Sequence, residues 1–223
     1  SAESGVPTFR GAGGLWNGHR AEELATPQGF ARDPVLVWEF YDQRRTHLAT
    51  CTPNPAHRAL ARLEQRCDDF SLITQNVDEL HQIAGNSAQR VIEVHGTVRR
   101  FMCWQCGHRG PMDEALTRVR AGEADPPCLR CGGILKSDTI SFGQALVPEV
   151  IDRAMTVAGE ADLLLAIGST LQVYPVAGAV PLVREVVSSS AAQRKSFFRP
   201  RIITAWRNEV ISRDRPKPDE LMK

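Results

Sequence analysis

A chain of 223 residues is long enough to bury one sizeable core together with a smaller second core. Its 27 Lys and Arg residues nearly balance its 26 Asp and Glu residues, so net charge gives no argument for nucleic acid or a membrane surface as the main partner. No apolar run approaches the roughly 20 residues of a bilayer-spanning helix, and the first residues do not resemble a signal peptide. We therefore expect a soluble, cytoplasmic protein whose ligand must be inferred from its sites.

The first part of the chain predicts a loop followed by two helices. Residues 1–20 are rich in Gly and small polar residues and predict a loop over a cleft, with Trp16 near its end. Apolar residues at helical spacing predict helices from Pro34 to Ala49 and from Pro55 to Arg66.

Three apolar runs predict buried strands of a parallel sheet, at Phe70–Thr74, Val91–Val94 and Asp162–Gly168. The third run continues into Ser169 and Thr170, a small-residue turn in which backbone N–H groups can approach a phosphate or a ribose. After Val187 the chain becomes Ser-rich and then basic, and we predict no further strand there. The alternation of strands and helices predicts an α/β fold.

Four of the six cysteines form two Cys-x-x-Cys pairs: Cys103, Cys106, Cys128 and Cys131. Four thiolates at this spacing can close a tetrahedron around one zinc ion, and a closed site of this kind is structural because it leaves no position for substrate. The alternative is two disulfides, which a large chain in a reducing compartment disfavours. Cys51 and Cys67 are predicted to be small, buried or partly buried thiols.

Polar side chains follow the first two predicted strands. Gln75, Asn76 and Asp78 come after the first strand, and His95 comes after the second, next to Gly96. The carboxyl ends of parallel strands form the usual ligand crevice, so these positions favour a binding or catalytic role. Each residue also has a plain structural alternative: His95 as a buried histidine, and Asn76 and Asp78 as turn formers.

Taken together, several motifs resemble those of the sirtuins, the NAD-dependent protein lysine deacylases. The resemblance spans about residues 1–187 and rests on the four cysteines and on five segments: SGVPTFRG (4–11), TQNVDELH (74–81), EVHG (93–96), ISFG (140–143) and GSTLQVYP (168–175). It implies a Rossmann-like parallel sheet, the NAD domain, with an inserted small zinc-ribbon lobe. The implied boundaries are 1–98 and 136–187 for the NAD domain, 99–135 for the lobe and 188–223 for a divergent basic tail.

The resemblance also implies roles for individual residues. Asn76 and Asp78 match the residues that hold nicotinamide, and His95 matches the general base that deprotonates a ribose hydroxyl. The other cofactor-binding positions implied are Phe9, Arg10, Gln75, Gly168, Ser169 and Thr170. The products implied are free lysine, nicotinamide and 2′-O-acyl-ADP-ribose.

The acyl-lysine protein or peptide is expected to lie between the two parts of the molecule. Phe142, Gly143 and Val173 match the strands to which the substrate backbone adds. Tyr41 and Arg44 stand where sirtuins that remove acidic acyl groups carry Tyr-x-x-Arg, and positions three apart share one face of a helix. We interpret them as ligands for the carboxylate of succinyl- or malonyl-lysine; the alternative is that Tyr41 packs in the core and Arg44 is solvated.

Two features depart from the family pattern. The family begins with a strand and a Gly-Ala-Gly turn that cradles pyrophosphate, whereas this sequence starts at Ser1, after the expected turn. The family also has a later strand that ends in Asn and an acidic residue, and Asn208-Glu209 is not assigned that role because no apolar strand is evident before it. We expect weakened NAD binding unless another segment substitutes. Protein ADP-ribosyl transfer and a non-catalytic zinc and peptide-binding module remain as alternative functions.

Overall fold

The computed structural model describes residues 1–7, 21–168, 173–182 and 202–206. These residues form an α/β structure with two sheets, as predicted. Its helices are α1 (Ala21–Leu24), α2 (Pro27–Arg32), α3 (Pro34–Leu48), α4 (Pro55–Glu64), α5 (Leu80–Ile83), α6 (Met112–Arg120) and α7 (Pro148–Gly159). Its strands are β1 (Phe70–Thr74), β2 (Val91–Glu93), β3 (Gly96–Cys103), β4 (Arg109–Pro111), β5 (Leu135–Thr139), β6 (Leu163–Ile167) and β7 (Ile202–Trp206). Short 3-10 helices cover Ala2–Ser4 and Val176–Gly178.

The two predicted helices are α3 and α4, and both begin at a proline. The Asp33 side chain caps α3 ahead of Pro34, and the Asn54 side chain caps α4 ahead of Pro55. Proline suits the first helical turn because the N–H that it lacks would have no partner within the helix. Local sequence therefore explains where both helices start.

The larger sheet is parallel and has the order β2-β1-β7-β6. Leu72 of β1 pairs with Val91 of β2 on one side and with Thr204 of β7 on the other. Helix α7 packs on this sheet through Ala154 and Ala158, which form one core with Ile73, Ile92 and other apolar residues. The predicted strands at 70–74, 91–94 and 162–168 are thus confirmed, with end points that differ by one residue at most.

The smaller sheet is antiparallel, with the order β4-β3-β5. Its strands come from one continuous part of the chain, and helix α6 packs against it. A single core joins this sheet to helix α3 and contains Trp38, Tyr41, Cys103, Leu116 and Cys128 among its members. The helix that carries Tyr41 is therefore packed on the cysteine-bearing sheet.

The expectation that no strand follows Val187 is wrong. Residues Ile202–Trp206 form β7, which lies between β1 and β6 and pairs with both in parallel. The segment has the same length as β1, but it stands among Ser-rich and basic residues that give no other sign of a sheet. Its backbone pairing on both sides stabilises it. An apolar strand does precede Asn208-Glu209, although those two residues lie outside the described part of the chain. The predicted domain boundaries remain a prediction.

In the described part of the chain, none of the helices combines the length and apolar character required to cross a bilayer.

Candidate active site and metal centre

The four paired cysteines meet at one end of the antiparallel sheet. Their sulfur atoms all lie within 4.8 Å of one another, and the Cys103–Cys131 and Cys106–Cys128 sulfur distances are 3.5 and 3.7 Å. A zinc–sulfur bond of about 2.3 Å places the sulfurs of a tetrahedron about 3.8 Å apart. The thiols are free, which excludes the alternative of two disulfides in this structure. The cluster fits one structural zinc ion.

Backbone turns support each cysteine pair. The Gly107 N–H donates to the Cys103 carbonyl at 3.0 Å, and the Gly132 N–H donates to the Cys128 carbonyl at 2.8 Å. The Cys106 N–H also points at the Cys103 sulfur, at 3.5 Å. Donors of this kind orient thiolate ligands and partly offset their charge. Cys51 is buried and Cys67 partly buried, as predicted, and neither belongs to the cluster.

Gln75, Asn76 and Asp78 follow β1 and are all buried. Asp78 Oδ1 accepts the Leu80 N–H at 3.0 Å, and the Asn76 side-chain amide donates to Ser1 Oγ at 3.0 Å. Gln75 Oε1 is buried and has no hydrogen-bond partner among the described residues. A buried acceptor without a protein partner can accept a hydrogen bond from a ligand, such as a ribose hydroxyl, and an unsatisfied buried oxygen is otherwise costly. The loop therefore fits a polar ligand of the NAD type.

His95 contacts this loop. Its Nδ1 is 3.2 Å from the Gln75 carbonyl oxygen, so Nδ1 carries the proton and donates it. In the neutral ring Nε2 then carries the lone pair, which is the form that a general base needs. The strand-end positions at 75–78 and at 95 are thus brought together as predicted.

The turn at His95 and Gly96 is also joined to β5. The His95 carbonyl accepts the Ile140 N–H at 2.9 Å, and Gly96 pairs with Thr139. Gly96 has a φ of 74°, and a Cβ atom added there would lie 2.0 Å from the Asp138 carbonyl oxygen. Only glycine allows this approach. These contacts join the His95 turn to the ISFG segment that follows β5.

Tyr41 and Arg44 lie on α3, near the same loop. Burial raises the pKa of the Tyr41 phenol to about 12, although a backbone hydrogen bond from Ser137 opposes the shift. Burial also lowers the pKa of Arg44 to about 10, opposed by the nearby Tyr41 and Asp78. At neutral pH the pair is thus a protonated phenol beside a charged guanidinium. Arg44 is partly buried, which contradicts a fully solvated side chain, while Tyr41 does pack in the core.

The remaining predicted site residues are only partly described. Phe142 is 57% exposed and its N–H donates to the Ala25 carbonyl, and a Cβ atom at Gly143 would meet no atom within 4 Å. This leaves open space beside the segment that follows β5. Gly168 directly follows β6, and the Val173 carbonyl accepts the Ala177 N–H at 3.0 Å. Phe9, Arg10, Ser169 and Thr170 lie outside the described residues.

The structure adds polar residues to which the sequence analysis gave no role. Glu79 contacts Thr97 and Arg99 on β3, beside the predicted site. His57 and His81 are both buried, with ring centroids 4.7 Å apart. Glu79 and His81 stand within the TQNVDELH segment, so their position was visible in the sequence but their partners were not.

Comparisons with known proteins agree with this geometry. The Sir2 family model matches residues 1–175. An NAD-dependent protein deacylase of Thermococcus kodakarensis is 46% identical over 188 residues, covering 83% of this chain and 72% of the relative. The NAD-dependent protein deacetylase 2 of Streptomyces coelicolor is 46% identical over 180 residues, covering 80% of this chain and 75% of the relative.

Solved structures give the same result. A Sir2 homologue in complex with NAD matches with a TM-score of 0.71 and 41% identity, over 84% of this chain and 71% of the other. A Sir2 protein with a deacetylated p53 peptide and 3′-O-acetyl ADP-ribose matches with a TM-score of 0.71 and 28% identity, over 83% of this chain and 74% of the other. The family model, the relatives and the shared fold establish that this chain belongs to the Sir2 family.

Proposed function

We propose that this protein is an NAD-dependent protein-lysine deacylase whose preferred acyl groups end in a carboxylate. The main support for deacylase activity is the contact between His95 and the buried Gln75–Asp78 loop, in a chain of the Sir2 family. The acyl preference rests on the neighbouring side chains of Tyr41, which is buried, and Arg44, which is partly buried. NAD supplies the ribose carbon that takes the acyl oxygen and the nicotinamide that leaves.

Asn76 and Asp78 hold the nicotinamide amide. An Asn amide and an Asp carboxylate offer the complementary donors and acceptors that a carboxamide requires. Both side chains are buried, so these hydrogen bonds form away from water and orient the ring strongly. Held in this way, nicotinamide is separated from the ribose as the glycosidic bond breaks.

His95 acts as the general base. The Gln75 carbonyl fixes the proton on Nδ1, and Nε2 takes the proton from a ribose hydroxyl so that its oxygen can attack the acyl carbon. The buried Gln75 side-chain oxygen accepts a second ribose hydroxyl and sets the position of the sugar. Gln75 therefore positions both the ribose, through its side chain, and the general base, through its backbone carbonyl.

Tyr41 and Arg44 recognise the acyl carboxylate. The phenol donates one hydrogen bond and the guanidinium adds a charge-assisted pair, and both groups hold their protons at neutral pH. Arg44 is partly buried, so its charge is screened less than that of a surface arginine. A succinyl or malonyl group gains this contact, and an acetyl group does not.

The substrate backbone adds as a strand beside Phe142 and Gly143, with Val173 on its other side. The open space at Gly143 leaves room for a peptide main chain. Recognition through main-chain hydrogen bonds makes the enzyme tolerant of substrate sequence. On the adenosine side, we assign Gly168, Ser169 and Thr170 to the cofactor, and Phe9 and Arg10 to the loop that covers it.

Mass spectrometry of a reaction with NAD tests this function. Succinyl-lysine and acetyl-lysine peptides of one sequence should both lose their acyl group, with nicotinamide and acyl-ADP-ribose formed in equal amounts. The succinyl peptide should react with a kcat/KM at least about 10-fold higher, the value of one charge-assisted contact. ADP-ribose attached to protein, with the peptides unchanged, would support transferase activity instead. Peptide binding without NAD binding would support the non-catalytic module.

A further inference from the structure

Glu79 has an unusual backbone conformation next to the proposed active site. It is the single non-glycine residue with positive φ among the described residues, at 59°, and it lies between Asp78 and helix α5. Residues with a Cβ atom rarely adopt this region, and strain of this kind persists where surrounding contacts fix it. The contacts of Glu79 therefore indicate what holds the loop in this shape.

The Glu79 carboxylate binds two residues of β3. Thr97 Oγ1 donates to Glu79 Oε1 at 2.7 Å, and Arg99 Nε lies 3.1 Å from Oε2. Thr97 is completely buried, and the Glu79 and Arg99 side chains are 25% and 27% exposed. Such partly desolvated, charge-assisted bonds are stronger than those between surface side chains. We call these three residues the Glu79 bridge.

The backbone forms a second link on the other side of Asp78. The Val98 N–H donates to the Val77 carbonyl at 3.0 Å. Asp78 thus has a neighbour on each side that is bonded to β3, Val77 through its backbone and Glu79 through its side chain. Because β3 begins at Gly96, the same strand also continues directly from His95.

We propose that Glu79 is a positioning residue: through Thr97 and Arg99 it fixes Asp78 relative to His95, and so holds the nicotinamide site in register with the general base. The inference rests on the proposed function for the roles of Asp78 and His95. Glu79 itself touches neither reacting group; its effect passes through β3. The Glu79 carboxylate also acts on Glu93 at the end of β2: burial, and then the charge of Glu79, raise the pKa of Glu93 to about 7.

Four variants and one control test the Glu79 bridge. Glu79→Ala removes both contacts, and Glu79→Gln keeps an acceptor for Thr97 but loses the charge that Arg99 meets. Glu79→Gly removes both contacts and also relieves the positive-φ strain. Thr97→Val removes one hydroxyl with little change in volume. Glu39→Ala, an exposed carboxylate on α3, is the control.

The expected pattern separates positioning from stability. For Glu79→Ala we expect the nicotinamide inhibition constant to rise about 10-fold and kcat to fall about 10-fold, because a small displacement of a reacting group is costly in rate. KM for the acyl peptide should change less than about 2-fold, and Glu79→Gln and Thr97→Val should be intermediate. Glu79→Gly should unfold at the same or a higher temperature than Glu79→Ala. Its kcat and its nicotinamide inhibition constant should be as impaired as those of Glu79→Ala. Recovery of kcat and nicotinamide inhibition in Glu79→Gly would overturn the proposal, because strain would then be the cause.

A measurement without turnover keeps this inference separate from the proposed function. Amide hydrogen exchange at Val98 should speed up about 10-fold in Glu79→Ala, relative to amides between β3 and β5. Unchanged exchange overturns the bridge, whatever the activity of the protein. If the wild-type protein does not deacylate, the proposed function fails, and with it the catalytic purpose of the bridge. If it does deacylate and the variants match the control, the positioning role alone is wrong.

Discussion

The two sheets of this molecule are assembled in opposite ways. The antiparallel sheet takes all its strands from residues 96–139, and its four cysteines come from the same stretch. The parallel sheet collects strands from segments as distant as 70–74 and 202–206, and the last of them occupies an interior position. A local unit can be recognised from one motif, whereas a sheet built from distant segments depends on pairing that no single segment encodes. The proposed site lies where the two meet.

Loss of the metal should have the largest overall effect, because it should break the antiparallel sheet and lower activity at the same time. Cys128→Ser removes a buried ligand that belongs to the same core as α3. We expect zinc binding to be lost and deacylation to fall more than about 100-fold, because a structural zinc site contributes directly to folding. Zinc content and activity measure this effect. Cys67→Ser, which lies outside the cluster, should keep both, and an active, zinc-free Cys128→Ser protein would show that the metal does not hold the lobe.

His95→Tyr should leave both sheets intact and remove the chemistry at their junction. We expect turnover to fall by about 10² to 10⁴, the usual contribution of a general base. Zinc content and the unfolding temperature should match the wild type. Deacylation at the parent rate would remove His95 from the role of base.

A proline in β7 should damage the parallel sheet and leave the metal site unchanged. Thr204 pairs with Leu72 on one side and with Leu165 on the other. Thr204→Pro deletes a ladder hydrogen bond in an interior strand, so the free energy of unfolding should fall by about 2 kcal/mol or more. Urea denaturation measures the loss, and Thr204→Val, which keeps the N–H, is the matched control. Equal stability of the two variants would show that β7 contributes little.

Arg44→Met tests the helix that packs on the antiparallel sheet. Desuccinylation should lose about 10- to 100-fold in kcat/KM, because the acyl carboxylate loses a charged partner. Deacetylation should change by less than about 3-fold. Arg45→Met is the matched control. It removes the same charge from the next position of α3, where Arg45 pairs with Asp113 at 2.8 Å and has no proposed role in acyl binding. Equal losses on both substrates would contradict the proposed acyl preference.

The smallest expected effect is a pH dependence of stability from the buried histidine pair. Burial lowers the pKa of His57 to about 4 and that of His81 to about 3, and nearby positive charges add to both shifts. Below about pH 6.5 the two histidines therefore bind protons in the unfolded chain but stay neutral in the folded protein. The stabilisation is complete above that pH and declines as the pH falls towards the folded values.

We expect the histidine pair to lower the free energy of unfolding by about 2 kcal/mol between about pH 7.5 and about pH 5.5. Glu93 acts in the opposite direction over the same range, because its raised pKa lets the folded protein bind a proton there. Urea denaturation of the wild type and of His81→Gln at the two pH values isolates the contribution of the pair, and His81→Gln should lose roughly half of it. A pH dependence of His81→Gln equal to that of the wild type would mean that the pair carries no such shift.

Much of the fold follows from local sequence signals. The prolines at 34 and 55 mark the starts of two helices, and apolar runs mark three of the four parallel strands. The cysteine spacing identifies the metal cluster, since the positions of all four ligands are set by two short turns. The same motif order also predicted the family, which the comparisons confirm.

The sequence predicted fewer features of the structure where segments distant in the chain come together. Strand β7 has ordinary apolar residues in an unpromising context, and its place between β1 and β6 is fixed by hydrogen bonds to strands far away in the chain. The partners of Glu79 and the partial burial of Arg44 depend in the same way on tertiary contacts. The roles of the individual site residues remain predictions, and the variants above address them.

The contact at Gly96 has a mechanical consequence for the cleft. The chain leaves the parallel sheet at Glu93 and enters the antiparallel sheet at Gly96, and the turn between them is pressed against Asp138 without room for a methyl group. The Ile140–His95 hydrogen bond crosses the same point. This crossing cannot serve as a hinge, because rotation there would break the bond and force atoms to overlap. If the two parts of the molecule move to admit or release a peptide, the bend must lie outside this crossing, so that His95 keeps its bond to Ile140 while the walls around it open.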